Sequence, residues 1–132
     1  MKSALTAACL MLITIGGAQA ANQEVLEPFD YDGAAAAQAA WVPAENSLPV
    51  GLAEHDGGQA LRLNADFTDA SSKRAVYDKE ISLDLSRWSR FSVQVYTEDP
   101  GLIGHFMIYL HSGDGWYGIS TALARKGWTT WS

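Results

Sequence analysis

The sequence predicts an all-β protein, an antiparallel sandwich or barrel, and three observations support that prediction. Apolar and polar residues alternate with a period of two in several short runs of the 132-residue chain. Glycine, proline and aspartate separate these runs and indicate turns. Only one run, at residues 34–40, favours a helix. Short strands separated by turn residues are typical of a sandwich or a barrel.

The N-terminal residues have the pattern of a Sec-type signal peptide. Lys2 gives a positive start, residues 4–15 are almost entirely apolar, and residues 18–20 (Ala-Gln-Ala) form a small-x-small cleavage site. The apolar run is too short for a stable transmembrane helix. We therefore predict a signal peptide at residues 1–20, cleavage after Ala20, and a secreted or periplasmic mature chain.

The charge and cysteine content exclude several classes of protein. Cleavage changes the net charge from −6 to −7, because Lys2 is the only charged residue among residues 1–20. An acidic chain does not attract phosphate backbones or anionic lipid, so we expect neither nucleic acid nor membrane as a partner. Cys9 is the only cysteine and is lost with the leader. The mature chain therefore has no disulfide and depends on burial for its stability.

The mature chain divides into an N-terminal segment, residues 21–57, and a strand-rich core, residues 58–132. Pro28, Gly33, Pro43 and Pro49 interrupt the N-terminal segment, which predicts extended chain and loop. The alanine-rich residues 34–40 have high helix propensity, which predicts one or two helical turns.

Three runs in the core segment alternate apolar with polar residues. Each predicts a half-buried strand whose apolar side chains face the core. The apolar members are Leu61, Leu63, Ala65 and Phe67 in the first run, Ile81, Leu83 and Leu85 in the second, and Phe91, Val93 and Val95 in the third.

Residues 104–124 predict a β-hairpin. Asp114-Gly115 is a strong turn signal, because a type I′ turn needs positive φ at both central residues. A turn at that position sets Tyr109 opposite Ser120 and His111 opposite Gly118, and opposed residues share a face of the sheet. One face then carries the apolar set that we expect to cover the core: Phe106, Ile108, Leu110, Ile119 and Leu123.

The other face of this hairpin is the candidate ligand-binding surface. Large side chains on one strand lie beside small ones on the next, which predicts a shallow trough. The large ones are His105, Met107, Tyr109 and His111, and the small ones are Gly118, Ser120, Ala122 and Ala124. Sugar rings stack on aromatic rings, and their hydroxyls need polar partners such as histidine. We therefore predict a glycan site at Tyr109, His111 and Trp116, with Gln94 and Tyr96 added if the polar face of their strand lies on that side.

Four stretches of the chain support a resemblance to a known group of proteins. They are residues 57–63 (Gly-Gly-Gln-Ala-Leu-Arg-Leu), residues 83–86 (Leu-Asp-Leu-Ser), residues 91–96 (Phe-Ser-Val-Gln-Val-Tyr) and Gly127-Trp128. Their order resembles the galactose-binding-like jelly roll of many carbohydrate-binding modules, over about residues 24–132. The resemblance implies a jelly-roll β-sandwich that binds a polysaccharide beside a catalytic domain in the same parent chain. It also implies a structural calcium ion in some members of the group, but no ligand-binding residue by motif.

Residues 128–132 (Trp-Thr-Thr-Trp-Ser) are typical of the start of a strand rather than its end. We therefore expect the jelly roll to be incomplete at the C-terminus, as a fragment of a larger protein that includes a glycoside hydrolase or lyase domain.

No motif in these residues predicts catalysis or a cofactor. The Gly-x-Ser-x-Gly motif is absent. Asp78 and Glu80 are a candidate carboxylate pair, but a solvated strand explains their spacing equally well. His105 and His111 are about 20 Å apart on an extended strand, too far to share a metal. Loop carboxylates suit calcium, although acidic loops are more often simply solvated. The candidates are Glu24, Glu27, Asp30, Asp32, Asp66 and Asp69.

Three functions remain open at this point. The first is a non-catalytic carbohydrate-binding module of a larger secreted protein. The second is a structural interdomain β-sandwich of a secreted glycoside hydrolase, in which Tyr109, Trp116 and Trp128 pack against neighbouring domains. The third is a fragment of a sandwich-fold polysaccharide lyase or hydrolase. It requires a basic or carboxylate pair that converges with Tyr109 and His111.

Overall fold

The computed structural model describes residues 13–16, 23–68, 73–84, 86 and 88–132. The strands are β1 (Ile13–Gly16), β2 (Gln23–Glu27), β3 (Val42–Ala44), β4 (Gly51–His55), β5 (Gly58–Arg62), β6 (Val76–Asp78), β7 (Arg90–Thr97), β8 (Phe106–Ser112), β9 (Gly115–Thr121) and β10 (Gly127–Trp131). Helix α1 covers Ala34–Ala40, and a short 3₁₀ helix covers Pro100–Leu102. Among the described residues, no helix has both the length and the apolar character needed to cross a membrane.

The strands confirm the all-β class. One sheet has four strands in the order β10-β7-β1-β2, and three further sheets are the pairs β3–β6, β4–β5 and β8–β9. Every pairing within the described ranges is antiparallel. The sequence prediction of a strand at residues 91–96 is also confirmed, since β7 covers it with Val93 and Val95 buried.

Two of the predicted strands are wrong in extent. The first run forms a strand only as far as Arg62, and residues 63–68 have no regular secondary structure. There Asn64 Nδ2 donates to Pro49 O at 2.8 Å, and Asp66 Oδ1 accepts from Thr68 N at 2.9 Å. Such side-chain bonds to the backbone replace the ladder of a sheet.

The second run, at residues 81–85, forms no strand over residues 81–84, and Leu85 lies outside the described residues. Ile81 and Leu83 are exposed, at 51% and 38%. Asp84 Oδ1 accepts from Ser86 N at 3.0 Å, which is again a turn-type bond to the backbone. A period of two thus predicts a strand only where the apolar face has a core to cover.

The predicted helix at residues 34–40 is confirmed. Helix α1 begins after Gly33, whose φ of 108° suits glycine, and ends where Trp41 returns to an extended conformation. Ala37 is buried, and Gln38 Nε2 donates to Val50 O at 2.9 Å. These contacts fix the helix against the strand-rich part of the chain.

The hydrophobic core draws on both parts of the mature chain. Its fully buried members are Phe29, Ala37, Val50, Leu61, Val93, Val95 and Leu123. Phe29, Ala37 and Val50 belong to residues 21–57, which the sequence analysis predicted to lie outside the strand-rich core segment. The proposed boundary before Gly58 lies inside the β4–β5 hairpin, in which His55 pairs with Gly58. Residues 21–57 therefore stabilise the same core as residues 58–132, at roughly 1.5–3 kcal/mol for each large apolar side chain.

Part of the predicted leader forms a strand. Strand β1, Ile13–Gly16, lies between β7 and β2 in the four-stranded sheet. The cleavage site at residues 18–20 lies outside the described residues, so the signal peptide stays a prediction.

Candidate functional site

The turn of the β8–β9 hairpin lies one residue earlier than the sequence predicts. Ser112 pairs with Gly115, so the two central residues are Gly113 and Asp114. Gly113 has a φ of 58°, as the first central residue of a type II′ turn does. The prediction of a type I′ turn at Asp114-Gly115 is therefore wrong. In the observed turn only a glycine needs a positive φ, and Asp114 does not adopt the left-handed conformation.

This correction moves the register of β9 by two residues. Tyr109 pairs with Gly118 rather than Ser120, and His111 pairs with Trp116 rather than Gly118. A shift of one residue would exchange the two faces, whereas a shift of two preserves them. The residues predicted to share the ligand-binding face therefore still share it.

Three ring side chains form a contiguous surface on this face, which we call the aromatic platform: Tyr109, His111 and Trp116. The His111 and Trp116 rings stack with centroids 4.4 Å apart and planes 25° apart. The Tyr109 ring meets Trp116 edge-on at 6.3 Å and 81°. Trp116 is nevertheless 66% exposed and Tyr109 53% exposed. The platform thus presents mutually packed rings to solvent.

Gly118 determines where the Tyr109 ring lies. A Cβ atom on Gly118 would be 2.5 Å from Tyr109 Cε1 and 2.7 Å from Cδ1, so the ring covers the glycine directly. The Tyr109 hydroxyl donates to Met107 Sδ at 3.6 Å. The Tyr109 ring therefore packs directly on Gly118. It fills the open trough that the sequence predicted at this position.

An exposed ion pair joins the chain just after β3 to the chain just before β6. Arg74 Nε and Nη2 each donate to a carboxylate oxygen of Glu45 at 2.5 Å, a bidentate arrangement. The hydrogen bond to Glu45 is the main cause that raises the pKa of Arg74. Sequence reasoning missed this pair, because its two members are 29 residues apart and carry no shared motif.

Gln94 and Tyr96 belong to a different sheet from the platform. Both lie on β7, where Gln94 is exposed opposite Thr130 and Tyr96 is half-buried opposite Trp128. The Tyr96 and Trp128 rings are 5.5 Å apart, and the Tyr96 hydroxyl bonds to Glu98. The structure thus brings together Tyr109, His111 and Trp116, and it groups Tyr96 with other partners.

Trp128 links β10 to the β4–β5 hairpin. Its Nε1 donates to His55 Nδ1 at 3.1 Å, and the two ring centroids are 4.0 Å apart. His55 Nε2 lies 3.1 Å from Asp56 Oδ2. The indole N–H and both imidazole nitrogens therefore have partners within the chain, which favours a structural role. No sequence signal connects two residues that are 73 positions apart.

A buried carboxylate organises the N-terminal segment. Glu27, only 6% exposed, accepts from Phe29 N at 2.9 Å, from the Tyr31 hydroxyl at 3.0 Å and from Lys79 Nζ. Lys79 Nζ also lies 5.5 Å from the ring centroids of Tyr31 and Trp41. Burial lowers the pKa of Lys79 and raises that of Tyr31. Glu27, a calcium candidate in the sequence, thus has an ammonium group as its counter-ion.

The remaining candidates for chemistry lie apart from the platform. Asp78, Lys79 and Glu80 line a cavity of about 470 Å³ together with Ala39, Ala40 and Val42. Within the described ranges, no three His, Cys, Asp or Glu side chains group in a way that could hold a metal ion. Asp69 lies outside those ranges.

Comparisons of the chain with protein-family models, with curated proteins and with solved structures find no match. The functional inference therefore depends on the chain's own geometry, above all on the aromatic platform.

Proposed function

We propose that this chain is a non-catalytic carbohydrate-binding module of a larger secreted protein and binds glycan on the aromatic platform. The observation that supports this most is the exposure of rings that contact one another, 66% for Trp116 and 53% for Tyr109. Exposed apolar patches on soluble proteins commonly mark interaction sites. A ring-lined surface with polar groups on the tyrosine and the histidine suits the C–H face and the hydroxyls of a sugar.

The platform is preorganised for stacking. His111 packs against Trp116, and Gly118 supports the Tyr109 ring, so the rings hold their orientation before ligand arrives. Rigid aromatic side chains lose little conformational entropy on binding. The acidic balance of the chain, −6 overall, favours a neutral glycan over a polyanionic one.

The proposed fold is a jelly-roll sandwich, as the resemblance of residues 24–132 implies. Antiparallel pairing throughout the described strands is compatible with it. The leader pattern at residues 1–20 supports export to the periplasm or the extracellular space.

A pull-down of the full chain on soluble and insoluble polysaccharides, neutral and anionic, tests the proposal. We expect retention on a neutral glycan that falls at least tenfold in Tyr109→Ala and in Trp116→Ala. Tyr117→Ala is the matched control, because Tyr117 is 65% exposed and pairs with Leu110 on the opposite face of the same hairpin. The proposal is wrong if no glycan retains the chain, or if Tyr117→Ala weakens retention as much as the platform variants do.

Gly118→Ala gives a second test that removes no contacting group. The new Cβ would displace the Tyr109 ring, so retention should fall several-fold. Unfolding free energy should change by less than about 1 kcal/mol, because the displaced ring is half exposed and can rotate outward. Gly104→Ala is the control, since nothing lies within 4 Å of a Cβ there. Equal retention by both variants would show that the position of Tyr109 does not matter.

A structural interdomain module is the second candidate, and one observation favours it. The opposite face of the hairpin packs on the core through Phe106 and Ile108, yet Tyr117 and Ile119 on that face are 65% and 47% exposed. A neighbouring domain of a parent hydrolase could cover these side chains. Absence of glycan retention, combined with slower labelling of Tyr117 in the parent protein than in this chain, would support this alternative.

A further inference from the structure

A strand from the predicted leader occupies an interior position in the four-stranded sheet. Strand β1 is antiparallel to both neighbours: Ile13 lies opposite Val93 of β7 and Glu27 of β2, and Gly16 lies opposite Arg90 and Gln23. Cleavage after Ala20 would separate β1 covalently from the rest of the sheet. The predicted cleavage site thus lies between β1 and both of the strands with which it pairs.

We propose that the space between β2 and β7 is a strand-binding slot, which after cleavage binds an extended, uncharged peptide segment antiparallel to both strands. The ligand class is polypeptide, held mainly by main-chain hydrogen bonds as in other cases of strand addition to a sheet. This inference does not depend on glycan binding, because the platform belongs to the separate β8–β9 pair.

Strand β7 needs a partner on this edge. Val93, Val95 and Thr97 are 0%, 1% and 2% exposed, so the strand runs along the core. Its other edge is already paired with β10, from Gly127 opposite Thr97 to Trp131 opposite Val93. Removal of β1 turns residues 90–93 into an open sheet edge, whose N–H and C=O groups are a template for pairing with another strand.

Strand β2 is not able to close the gap by itself. Because β2 and β7 are both antiparallel to β1, they are parallel to each other and about 9.5 Å apart, which is two strand spacings. To pair directly, β2 would have to move by about 4.8 Å. Its end is anchored, since Glu27 binds Lys79 and the next apolar residue, Phe29, is 0% exposed. We therefore expect the slot to persist at this end of β2 when β1 leaves.

The sequence of β1 indicates the chemistry of the segment that fits. Residues 13–16 are Ile-Thr-Ile-Gly, which has no charge, and its β-branched residues favour extended backbone. A probe peptide with the sequence of residues 12–17, Leu-Ile-Thr-Ile-Gly-Gly, carries this pattern.

The first experiment uses the full chain with a protease site inserted between Ala20 and Ala21. The protein is folded, cut and followed by hydrogen exchange at the amides of residues 90–93. We expect protection to persist while the leader stays bound, to fall at least tenfold when the leader is washed out, and to return when the probe peptide is added. Unchanged protection after release of the leader would show that the slot has closed, and would overturn the proposal.

A proline variant tests the same ladder in the uncut chain. Thr14→Pro removes a main-chain donor from an interior strand, so protection at residues 90–93 should fall at least tenfold. Ser3→Pro is the control in the leader outside β1, and the β4–β5 amides report on global unfolding. Protection equal to that of the unsubstituted chain would contradict the proposal. Loss of protection at the β4–β5 amides as well would mean that the variant unfolds globally. The test is then binding of the probe peptide to the cut chain, and failure to bind it at millimolar concentration overturns the proposal.

Discussion

At the scale of single residues, the buried ion pair of Glu27 and Lys79 has a large predicted effect on stability. The carboxylate side chain is 8% exposed and the lysine side chain 21%. Each is charged and largely removed from water, and such a pair is tolerated only because each supplies the other's counter-charge. Removing one member leaves the other charge buried without compensation.

We predict that Lys79→Met lowers the unfolding free energy by about 3 kcal/mol, because Glu27 then remains buried without its counter-ion. Denaturant unfolding at pH 7 measures the change. Lys126→Met is the matched control, since Lys126 pairs with Glu98 at the surface, with side chains 65% and 59% exposed, and should leave the midpoint unchanged. Equal losses in the two variants would show that burial of the pair contributes nothing.

Tyr77 makes stability depend on pH in the alkaline range. Its hydroxyl donates to Asn64 O, and burial raises its pKa from 10.0 to about 12. Between those values the unfolded chain has lost this proton while the folded chain retains it. The folded state therefore binds more protons, and the free energy of unfolding must fall as pH rises through this window.

The expected decrease attributable to Tyr77 between pH 10 and pH 12 is on the order of 1 kcal/mol, after allowance for partial solvent screening. Urea unfolding at pH 9, 10, 11 and 12 measures it. Tyr77→Phe removes the titrating group and should flatten the curve relative to the unsubstituted chain. Parallel curves for the two proteins would refute the assignment.

At the scale of elements, the β8–β9 hairpin is governed by the choice of turn. Two glycines flank Asp114, so either Gly113-Asp114 or Asp114-Gly115 could be the centre of a two-residue turn. The chain uses Gly113, because a type II′ turn needs positive φ at only one residue, and that residue is then a glycine. The same choice sets Trp116 opposite His111 and so completes the platform.

Gly113→Ala should destabilise the hairpin by about 1 kcal/mol, because alanine at a φ of 58° is strained. Asp114→Ala should be nearly neutral, since Asp114 does not need the left-handed conformation. Hydrogen exchange of the amides at residues 106–121 measures both. A larger loss in Asp114→Ala than in Gly113→Ala would instead favour a turn at Asp114-Gly115.

At the scale of the whole molecule, a single buried cluster joins the N-terminal segment to the strands. Phe29, Ala37 and Val50 pack with Leu61, Val93, Val95 and Leu123. Because the cluster crosses the boundary at residue 57, the two parts should unfold in one transition.

Phe29→Ala should therefore lower the stability of the whole molecule by about 3–5 kcal/mol rather than loosen residues 21–57 alone. Thermal unfolding followed at the tryptophans and by far-ultraviolet circular dichroism measures this, with coincident transitions expected. Leu48→Ala is the control, since Leu48 is 44% exposed and should cost little. Two separate transitions in Phe29→Ala would mean that the segments fold independently.

The sequence by itself determined the all-β class, the helix at residues 34–40 and the shared face of Tyr109, His111 and Trp116. These follow from local signals: a period of two, a run of alanines, and strand parity that survives a register shift of two. Each depends on neighbours in the chain, so it can be read without knowing the fold.

Only the tertiary structure decided the turn at Gly113, the early end of β5 at Arg62 and the absence of a strand at residues 81–84. The same holds for Glu27 with Lys79, 52 residues apart, and His55 with Trp128, 73 residues apart. The physical reason is that burial and pairing are set by whatever packs against a segment. An apolar run becomes a strand, and a carboxylate finds its counter-ion, only where a distant part of the chain supplies the partner.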